Sequence, residues 1–563
     1  MTKWTMTWDI VRRARLMTPR MIALLSTYLL LTPLNAAADG TAWLLLVNVF
    51  SSRTGLGAAD YLAWLPAALR TNGNYQLVAV CFLFILKAAL TVAIFALEGT
   101  VQATIRRNLQ EHNLAAVMRG RWDFLRQGNV GQWTGVVTEE SALFANYFIM
   151  GVRALYAFLM FALLASMAVY VNPKLSLLML VVLLPAGLLL RFLYQRHAAV
   201  SSRIAAGRQR FSADATERLS GLFQIKAFGD IAPHLKAGLA GQDDFTRTEI
   251  SLAALTGLIN AFSPMLLPIL LVAFALWTSA QGQSISAQIH VLGSVGILGY
   301  RAVSQLSTLV GAIGNLTSTS GCVAPVRQVC LIPPQPEHAP LPEPLVGVQL
   351  DGVGYAYHNQ QVLQDQTFSI APGRLFLITG ESGGGKTTLA NLISALYEPS
   401  SGKVIYVGAS GRRYDAREYR AKIGYVTQDV FLFRGTVRRN LDPWGELHDD
   451  DLWRCLEQTG AAAFVKSFGG LDAEIAEAGR SLSGGERRRL AIAATLAQRA
   501  ECLILDEVTN GLDEATKRAL VDTIAALSRK TLVIAISHDL AAFDKIETTV
   551  HAMAPRPAER KTA

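Results

Sequence analysis

Charge is scarce in this chain. Only 17% of its 563 residues are Asp, Glu, Lys or Arg, against 51% that are hydrophobic. That balance argues against a wholly water-borne protein of two or three domains and points to an integral membrane protein. Cysteine is scarce too. Cys81, Cys322, Cys330, Cys455 and Cys502 are scattered without metal-type spacing, so they read as buried or incidental thiols. A cleavable leader is not evident, because Met1 to Arg20 is polar and basic and runs into the first long apolar stretch, which reads as a retained span. Acids are outnumbered, giving a net charge of +9. A nucleic-acid partner would fit that excess, but membrane topology explains it better.

Six apolar stretches are long enough to cross a bilayer, which takes about 20 residues each. They lie near Ile22–Val47, Leu77–Leu97, Phe148–Val171, Leu175–Leu193, Leu255–Ser279 and Val291–Val310. Pro33, Asn35, Asp39 and Gly40 interrupt the first, which predicts a kink or an early exit from lipid. Basic residues concentrate between spans two and three (Arg106, Arg107, Arg119, Arg121, Arg126) and between spans four and five, from Arg196 to Arg247. The other loops have few, so the two basic loops, the N-terminus and everything after span six are expected in the cytoplasm. Gln102 to Met118 and Ser202 to Phe223 have helix-forming composition and read as cytosolic extensions of the spans. Turns near Arg121–Gly128 and Ala227–Ile231 would be their tips.

Polar residues recur inside the membrane half. His290, Ser294, Arg301, Ser304, Gln305 and Thr308 share one face of span six at spacings of three, four and seven. An arginine at membrane depth is costly unless it meets water or a partner. The face reads either as a wall of an aqueous substrate cavity or as an interhelical seam or cytosolic end. Lys87 and Glu98 in span two raise the same question; snorkelling accounts for Glu98 more easily than for Lys87.

A proline-rich run, Leu331 to Leu345, cannot form helix or central strand and reads as a semi-rigid spacer. Beyond it, strand-like and helix-like runs alternate, the pattern of an α/β domain. The strand Leu375–Thr379 runs into GESGGGKTT, Gly380 to Thr388, the G-x-x-x-x-G-K-[ST] phosphate loop. Gly380, Gly383, Gly384 and Gly385 let backbone N–H groups close around phosphate oxygens, with Ser382 in the same loop. Lys386 reaches the β- and γ-phosphates, the Thr387 hydroxyl is placed for Mg²⁺, and the helix from Thr388 points its positive end at the anion. ECLILDE, Glu501 to Glu507, is an apolar strand ending in two acids: Asp506 to hold Mg²⁺ through water, Glu507 to polarise a water for attack on the γ-phosphate. LSGGERRRL, Leu482 to Leu490, starts a helix after two glycines. Gln428 and His538 each follow a strand.

In this order the motifs resemble the ATP-binding cassette family, specifically half-transporters with the exporter-type (type IV) membrane fold. The resemblance implies a polytopic α-helical membrane domain of six transmembrane helices joined to an α/β P-loop NTPase domain. The expected division is a membrane domain with cytosolic coupling helices at 1–330, a linker at 331–345 and the ATPase at 346–563. It further implies that Tyr357 stacks on adenine and that Gln428 is the Q-loop glutamine, a contributor to Mg²⁺ and catalysis. Ser483, Gly484 and Gly485 would form the signature that meets the γ-phosphate held by the opposite subunit. Asp513 would close the D-loop, His538 would be the switch histidine beside the catalytic Glu507, and Ile225 to Asp230 resembles the second coupling-helix region. Three features depart from the family pattern: LSGGE with Glu486 in place of an amide, NGLD rather than SALD at Asn510–Asp513, and a short stretch after His538, which predicts a reduced accessory edge.

What the resemblance implies functionally is an ATP- and Mg²⁺-dependent translocase in a bacterial inner membrane, working by alternating access. With one ATPase domain the chain needs a second half-transporter, most simply another copy of itself. Its cargo would be a lipid, a peptide or an amphipathic small molecule, with Lys87, His290, Ser294, Arg301 and Gln305 as candidate cavity residues leaning towards an anionic ligand. Two alternatives stand beside export: import of a metal–siderophore complex on the same fold, and a non-transporting ATP-gated channel or regulatory subunit, against which the intact Asp506, Glu507 and His538 argue.

Overall fold

The computed structural model describes residues 3–53, 73–126, 128–171, 188–189, 191–200, 221–228, 231–239, 242–280, 289–335, 343–357, 360–415, 422–476 and 479–553, with isolated positions between 203 and 218. The chain divides into two compact units: one of residues 1–118 and 128–332, the other of 119–127 and 333–563.

The first unit is helical. α1 (Lys3–Arg13) precedes α2 (Pro19–Arg53) and α3 (Gly73–Met118). The 46 residues of α3 extend about 69 Å at 1.5 Å per residue, roughly twice the hydrocarbon thickness. One helix therefore carries span two and its polar extension, as the composition of Gln102–Met118 predicts. After α4 (Trp122–Leu125), which falls in the second unit, come α5 (Val130–Gly135), a π-turn at Val136–Glu140 and α6 (Ser141–Val171). Ser141 closes that junction: its hydroxyl donates to Val136 O (2.8 Å) and receives Asn113 Nδ2 of α3 (3.0 Å). α7 (Leu222–Phe228), α8 (Ala232–Leu239), α9 (Gln242–Ala280), α10 (Ile289–Thr319) and α11 (Val323–Cys330) complete the unit. α2 packs on α3, and α6 on α10.

Three helices among the described residues are long and apolar enough to cross a membrane: Pro19–Trp43, Gly73–Met118 and Val130–Ser166. Val78, Phe82, Ile85, Val92 and Phe95 of α3 and Leu155 and Phe158 of α6 are exposed, a surface suited to lipid. Spans five and six fall within α9 and α10. Most of the proposed fourth span, residues 175–187 and 190, lies outside the described residues, as do Gly229 and Asp230 of the second coupling region and most of residues 202–220.

α2 continues as one helix through Pro33 to Arg53. The structure supplies the polar partners that an isolated helix would lack. Thr32 Oγ1 donates to Tyr28 O (2.7 Å), Tyr156 OH donates to Thr32 O (3.3 Å), and Asp39 has cationic partners on two other helices. The proline-rich run is also more than a spacer. Its start pairs in strand fashion with residues 119–121: Arg121 N donates to Pro333 O (3.0 Å), Gln335 N donates to Arg119 O, and Gly120 bridges Pro334. Proline lacks a donor but retains its carbonyl, which is the group used here. Residues 336–342 lie outside the described part.

The second unit is α/β. An antiparallel sheet runs in the order β2–β1–β4–β5: β1 Leu345–Tyr357, β2 Gln360–Ile370, β4 Ser401–Gly408 and β5 Arg413–Asp415. A parallel sheet runs β11–β3–β10–β9–β6, from β3 (Leu375–Thr379), β6 (Ile423–Val426), β9 (Cys502–Asp506), β10 (Leu532–Ile536) and β11 (Thr548–Ala552). Every residue of β3, β9 and β10 is buried, which explains why these strands read as continuous apolar runs rather than alternating ones. β7 (Gly435–Thr436) pairs with β8 (Glu474–Ile475) beside α13 (Val437–Leu441), α14 (Asp449–Gln458) and α15 (Ala462–Phe468). α12 (Lys386–Ile393), α16 (Gly484–Ala497) and α17 (Glu514–Ser528) are the remaining long helices.

Candidate functional site

In a parallel sheet the carboxyl ends of adjacent strands open on one edge, where functional loops collect. Here β3, β10 and β9 are neighbours, with Ile536 opposite both Ile378 and Asp506. Their ends deliver the phosphate loop, His538, and the pair Asp506–Glu507 to one place. β6, next to β9, delivers Gln428, which is exposed and followed by exposed Phe431 and Phe433.

The phosphate loop turns through left-handed glycines: Gly380 (φ +144°), Gly383 (φ +82°) and Gly385 (φ +94°). Gly385 has a second constraint, since a Cβ there would lie 2.9 Å from Leu363 Cδ2. Ser382 is exposed and Gly384 buried. Lys386, 6% exposed, sends Nζ to Gly380 O and Glu381 O (both 2.9 Å) and lies 3.1 Å from His538 Nε2. Thr387 Oγ1 donates to Asp506 Oδ2 (3.3 Å), which also accepts from Tyr425 OH (3.1 Å). Burial pushes the Asp506 carboxyl up, against the Tyr425 and Thr387 hydroxyls that favour its charged form.

Glu507 occupies the left-handed region at φ +49°, uncommon for a side chain without glycine's freedom. Its backbone N–H donates to Ile536 O (3.0 Å), and its two carboxylate oxygens are divided. Oε1 is 3.1 Å from His538 Nε2, and Oε2 accepts from Asn510 Nδ2 (2.7 Å). His538 Nε2 thus faces an acceptor and an ammonium at equal distance. Glu507 calls for a proton on that nitrogen, Lys386 for its lone pair.

Tyr357 lies on β1 next to the phosphate-loop helix. Its hydroxyl is 3.2 Å from Thr388 Oγ1 and accepts from Arg126 Nη1 (2.8 Å), which also donates to Tyr397 OH (2.7 Å). Arg126 belongs to residues 119–127, which interrupt the sequence of the helical unit yet fold with the α/β unit. Arg121 of the same segment pairs with Glu398 (2.9 Å).

Ser483 caps α16. Its Oγ accepts from Glu486 N (3.3 Å) while Glu486 Oε2 accepts from Ser483 N (2.8 Å), a reciprocal capping box. The acid in LSGGE therefore has a local task that an amide oxygen would serve equally. Gly485 faces Thr516 Cγ2, which a Cβ would meet at 2.5 Å; Gly484 is less constrained. Asp513 caps α17, accepting from Thr516 N (2.9 Å) and Thr516 Oγ1 (2.6 Å), which hold its carboxyl below the usual range.

The structure thus brings together Lys386, Thr387, Asp506, Glu507 and His538, with Tyr357 meeting the same helix at Thr388; Ser483 and Asp513 make their polar contacts as caps of their own helices. Sequence reasoning missed Tyr425, Asn510, Arg126 and Tyr397. Asn510, one turn beyond Glu507, and Arg126, in the expected tip near Arg121–Gly128, stood in stretches already singled out, but without these partners.

In the helical unit, Lys87 Nζ lies 2.8 Å from Asp39 Oδ2, and Arg301 Nη2 bonds the same oxygen. Glu98 pairs with Arg153 (2.5 Å). Lys87 and Arg301 are therefore not free charges: both converge on an acid that the sequence reading treated only as a helix irregularity. Gln305 lies on α10 one turn from Arg301, whereas the side chains of His290 and Ser294 are outside the described residues.

Comparison with known proteins places both units. The family described as "ABC transporter transmembrane region" matches residues 34–294, and that described as "ABC transporter" matches 363–510. The ATP-dependent lipid A-core flippase of Pseudomonas aeruginosa is 27% identical over 391 residues, 67% of this chain and 64% of that protein. The mycobactin import ATP-binding/permease protein IrtB of Mycolicibacterium thermoresistibile is 29% identical over 289 residues, 51% of this chain and 50% of that protein. Matches of this kind span 17% to 66% of the curated relatives' own length. A bacterial Atm1-family ABC exporter solved with ATP bound superposes with a TM-score of 0.74 over 95% of each chain at 19% identity, a likeness of fold. With both family matches in one chain and in the order of its two units, this integral membrane protein belongs to the ABC transporter family, as a half-transporter of the exporter-type fold with a single nucleotide-binding domain.

Proposed function

We propose that this chain is one half of an ATP-driven membrane transporter and functions as a homodimer. The observation that carries the reading is the meeting of Lys386, Glu507 and His538 at the ends of three adjacent strands, in the same chain as apolar membrane helices. The left-handed glycines leave the backbone open to a polyphosphate, and the buried Lys386 ammonium supplies the counter-charge. Thr387 and Asp506 offer hard oxygen donors that fit Mg²⁺, with Gln428 at the neighbouring strand end. When bound, that ion would neutralise charge on the phosphates.

The chain's own residues do the rest. Glu507, held at both oxygens, orients a water. With its hydrogen on Nε2, His538 serves Glu507 as a donor; with its lone pair there, it serves Lys386. Tyr357 offers a ring for adenine beside Thr388. Ser483, satisfied within its own helix cap, presents the α16 N-terminus outward, where a second copy's nucleotide would complete the composite site. The segment 119–127, tied through Arg126 to Tyr357 and Tyr397, is the route by which nucleotide-dependent movement reaches the membrane helices. Alternating access follows if closure of two ATPase units moves those segments.

Export of an amphipathic lipid, peptide or small molecule from a bacterial cytoplasmic membrane is the preferred direction. The flippase relative and the exporter fold support it, and the mycobactin-import relative keeps uptake as the second reading. The test is Glu507→Gln in reconstituted vesicles. It should abolish steady-state ATP turnover while retaining ATP in a closed dimer; turnover at the wild-type rate would sink the assignment.

A further inference from the structure

From Ile22 to Val310, the spans and their immediate flanks carry only two acids, Asp39 and Glu98, in the sequence. Asp60, in the loop between the first two spans, lies outside the described residues. Glu98 meets Arg153 one to one, the neutral cross-link expected of a structural pair in lipid. Asp39 is different. It is 5% exposed, lies midway along α2, and its single Oδ2 takes both Lys87 from α3 and Arg301 from α10. Two cations share one carboxylate, so among the described residues the cluster where α2, α3 and α10 meet carries one positive charge in excess. Structural cross-linking needs only one of them.

A second observation concerns acceptors. Among the described residues the carboxylate's other oxygen, Asp39 Oδ1, is buried and has no hydrogen-bond partner; Gln305 Oε1, one turn along α10 from Arg301, is in the same condition. Buried acceptors without donors are costly and ask for one. The cluster therefore offers a surplus cation and two unused acceptors, one on Asp39 itself and one on Gln305 a helical turn from Arg301.

We propose that Asp39, Lys87, Arg301 and Gln305 form a mid-membrane subsite for an amphiphile whose headgroup combines one anionic group with an adjacent O–H or N–H donor. The anion takes the surplus charge; the donor satisfies Asp39 Oδ1 or Gln305 Oε1. This rests on the transport reading and names its substrate class. A lipid headgroup and a soluble acylated acid share that chemistry.

The probe is N-lauroylserine, with one carboxylate, an amide N–H and a hydroxyl, compared with its uncharged methyl ester. Binding of each is measured by equilibrium dialysis to the full chain in phosphatidylcholine nanodiscs. Wild type should bind the acid at least about tenfold more tightly than the ester. Lys87→Met and Arg301→Met each leave Asp39 a single partner and a neutral cluster, so neither strands a buried charge. In both, the acid-to-ester ratio should fall to about two or less. The ratio is internal to each variant, so partial loss of folded protein lowers both affinities and leaves it unchanged. A ratio near one in wild type, or one preserved in both variants, overturns the subsite. Replacing half of the phosphatidylcholine with phosphatidylglycerol separates the sources: weaker acid binding assigns the site to a lipid headgroup, and unchanged binding to the soluble acid. The two readings fail separately. ATP-driven movement without acid preference defeats only the subsite, and acid preference without ATP-driven movement of any amphiphile defeats only the transport reading.

Discussion

Removing the Asn510 amide should slow ATP hydrolysis without weakening ATP binding. Glu507 sits at φ +49°, a conformation that costs an ordinary residue about 1–2 kcal/mol, so its side chain has no intrinsic reason to stay where it is. Three contacts hold it: the backbone bond to Ile536 O, His538 at Oε1 and Asn510 at Oε2. A hydrogen bond to a charged group is worth about 1.5–3 kcal/mol. Because His538 still holds the other oxygen in Asn510→Ala, the lower end applies, and kcat should fall about 10- to 30-fold. Asn510 makes its side-chain contact with Glu507, not with the phosphate loop, so KM for ATP should stay within about twofold.

Two further substitutions sharpen the test. Asn510→Ser gives the D-loop serine common in the family, but its hydroxyl sits closer to the backbone than the amide it replaces. It should therefore behave like Asn510→Ala. Asn510→Asp sets an acceptor against Oε2 in place of a donor. At about 3 Å and an effective dielectric near 20, two carboxylates repel by about 5 kcal/mol, so this variant should be the slowest. The assay is phosphate release by the detergent-purified chain across an ATP titration, with thermal unfolding alongside. If Asn510→Ala keeps kcat within twofold of wild type, the idea that this amide positions Glu507 is wrong.

Ser483→Ala removes one half of the α16 capping box and should cost about 1 kcal/mol. Glu486→Gln keeps an acceptor for Ser483 N and should stay within about 0.5 kcal/mol; denaturant unfolding of the two variants checks the contrast. Gly485→Ala forces a methyl to 2.5 Å from Thr516 Cγ2 and should cost about 1–3 kcal/mol by overpacking α16 against α17, read as a lowered Tm. Asp442, buried at the end of α13, loses solvation but receives Gly445 N (3.0 Å) and Leu447 N (2.8 Å), and the backbone donors win, leaving its pKa lowered. A depressed folded pKa stabilises above the unfolded carboxylate value near 3.9 and is lost as pH falls through the folded value. The Tm gap between wild type and Asp442→Asn should therefore be full at pH 6 and shrink below about pH 4.

The nucleotide-binding half was legible because its chemistry follows the chain. A phosphate loop, a strand ending in two acids and a strand followed by histidine are each contiguous. Once the strands are buried and parallel, their ends meet without further instruction. What the sequence hid were partners fixed by geometry rather than by motif. Tyr425 reaches Asp506 because β6 lies beside β9, and nothing in IGYV announces that neighbour. Arg126 reaches Tyr357 across 231 positions. The proline-rich run concealed a strand-like pairing because a propensity argument counts proline's missing donor and overlooks its carbonyl.

The membrane half was legible as spans and obscure as a site, for a reason that Asp39 makes plain. Within one helix, an acid beside Pro33, Asn35 and Gly40 is an irregularity, and a lysine or arginine in another helix is a cost. Hydropathy scores each against lipid separately, so it read one helix as interrupted and two residues as candidates for a water-lined wall. Their meaning lies in the sum across helices, since three costly residues at one depth become a cluster with a sign. The same sum distinguishes the two ion pairs of this bundle. Glu98 with Arg153 comes to zero and asks for nothing more, whereas Asp39 with Lys87 and Arg301 comes to one positive charge. A bilayer interior tolerates a neutral pair far better than a net charge. Retaining the second cation is therefore an expense that folding does not require, and a bound anion would offset it.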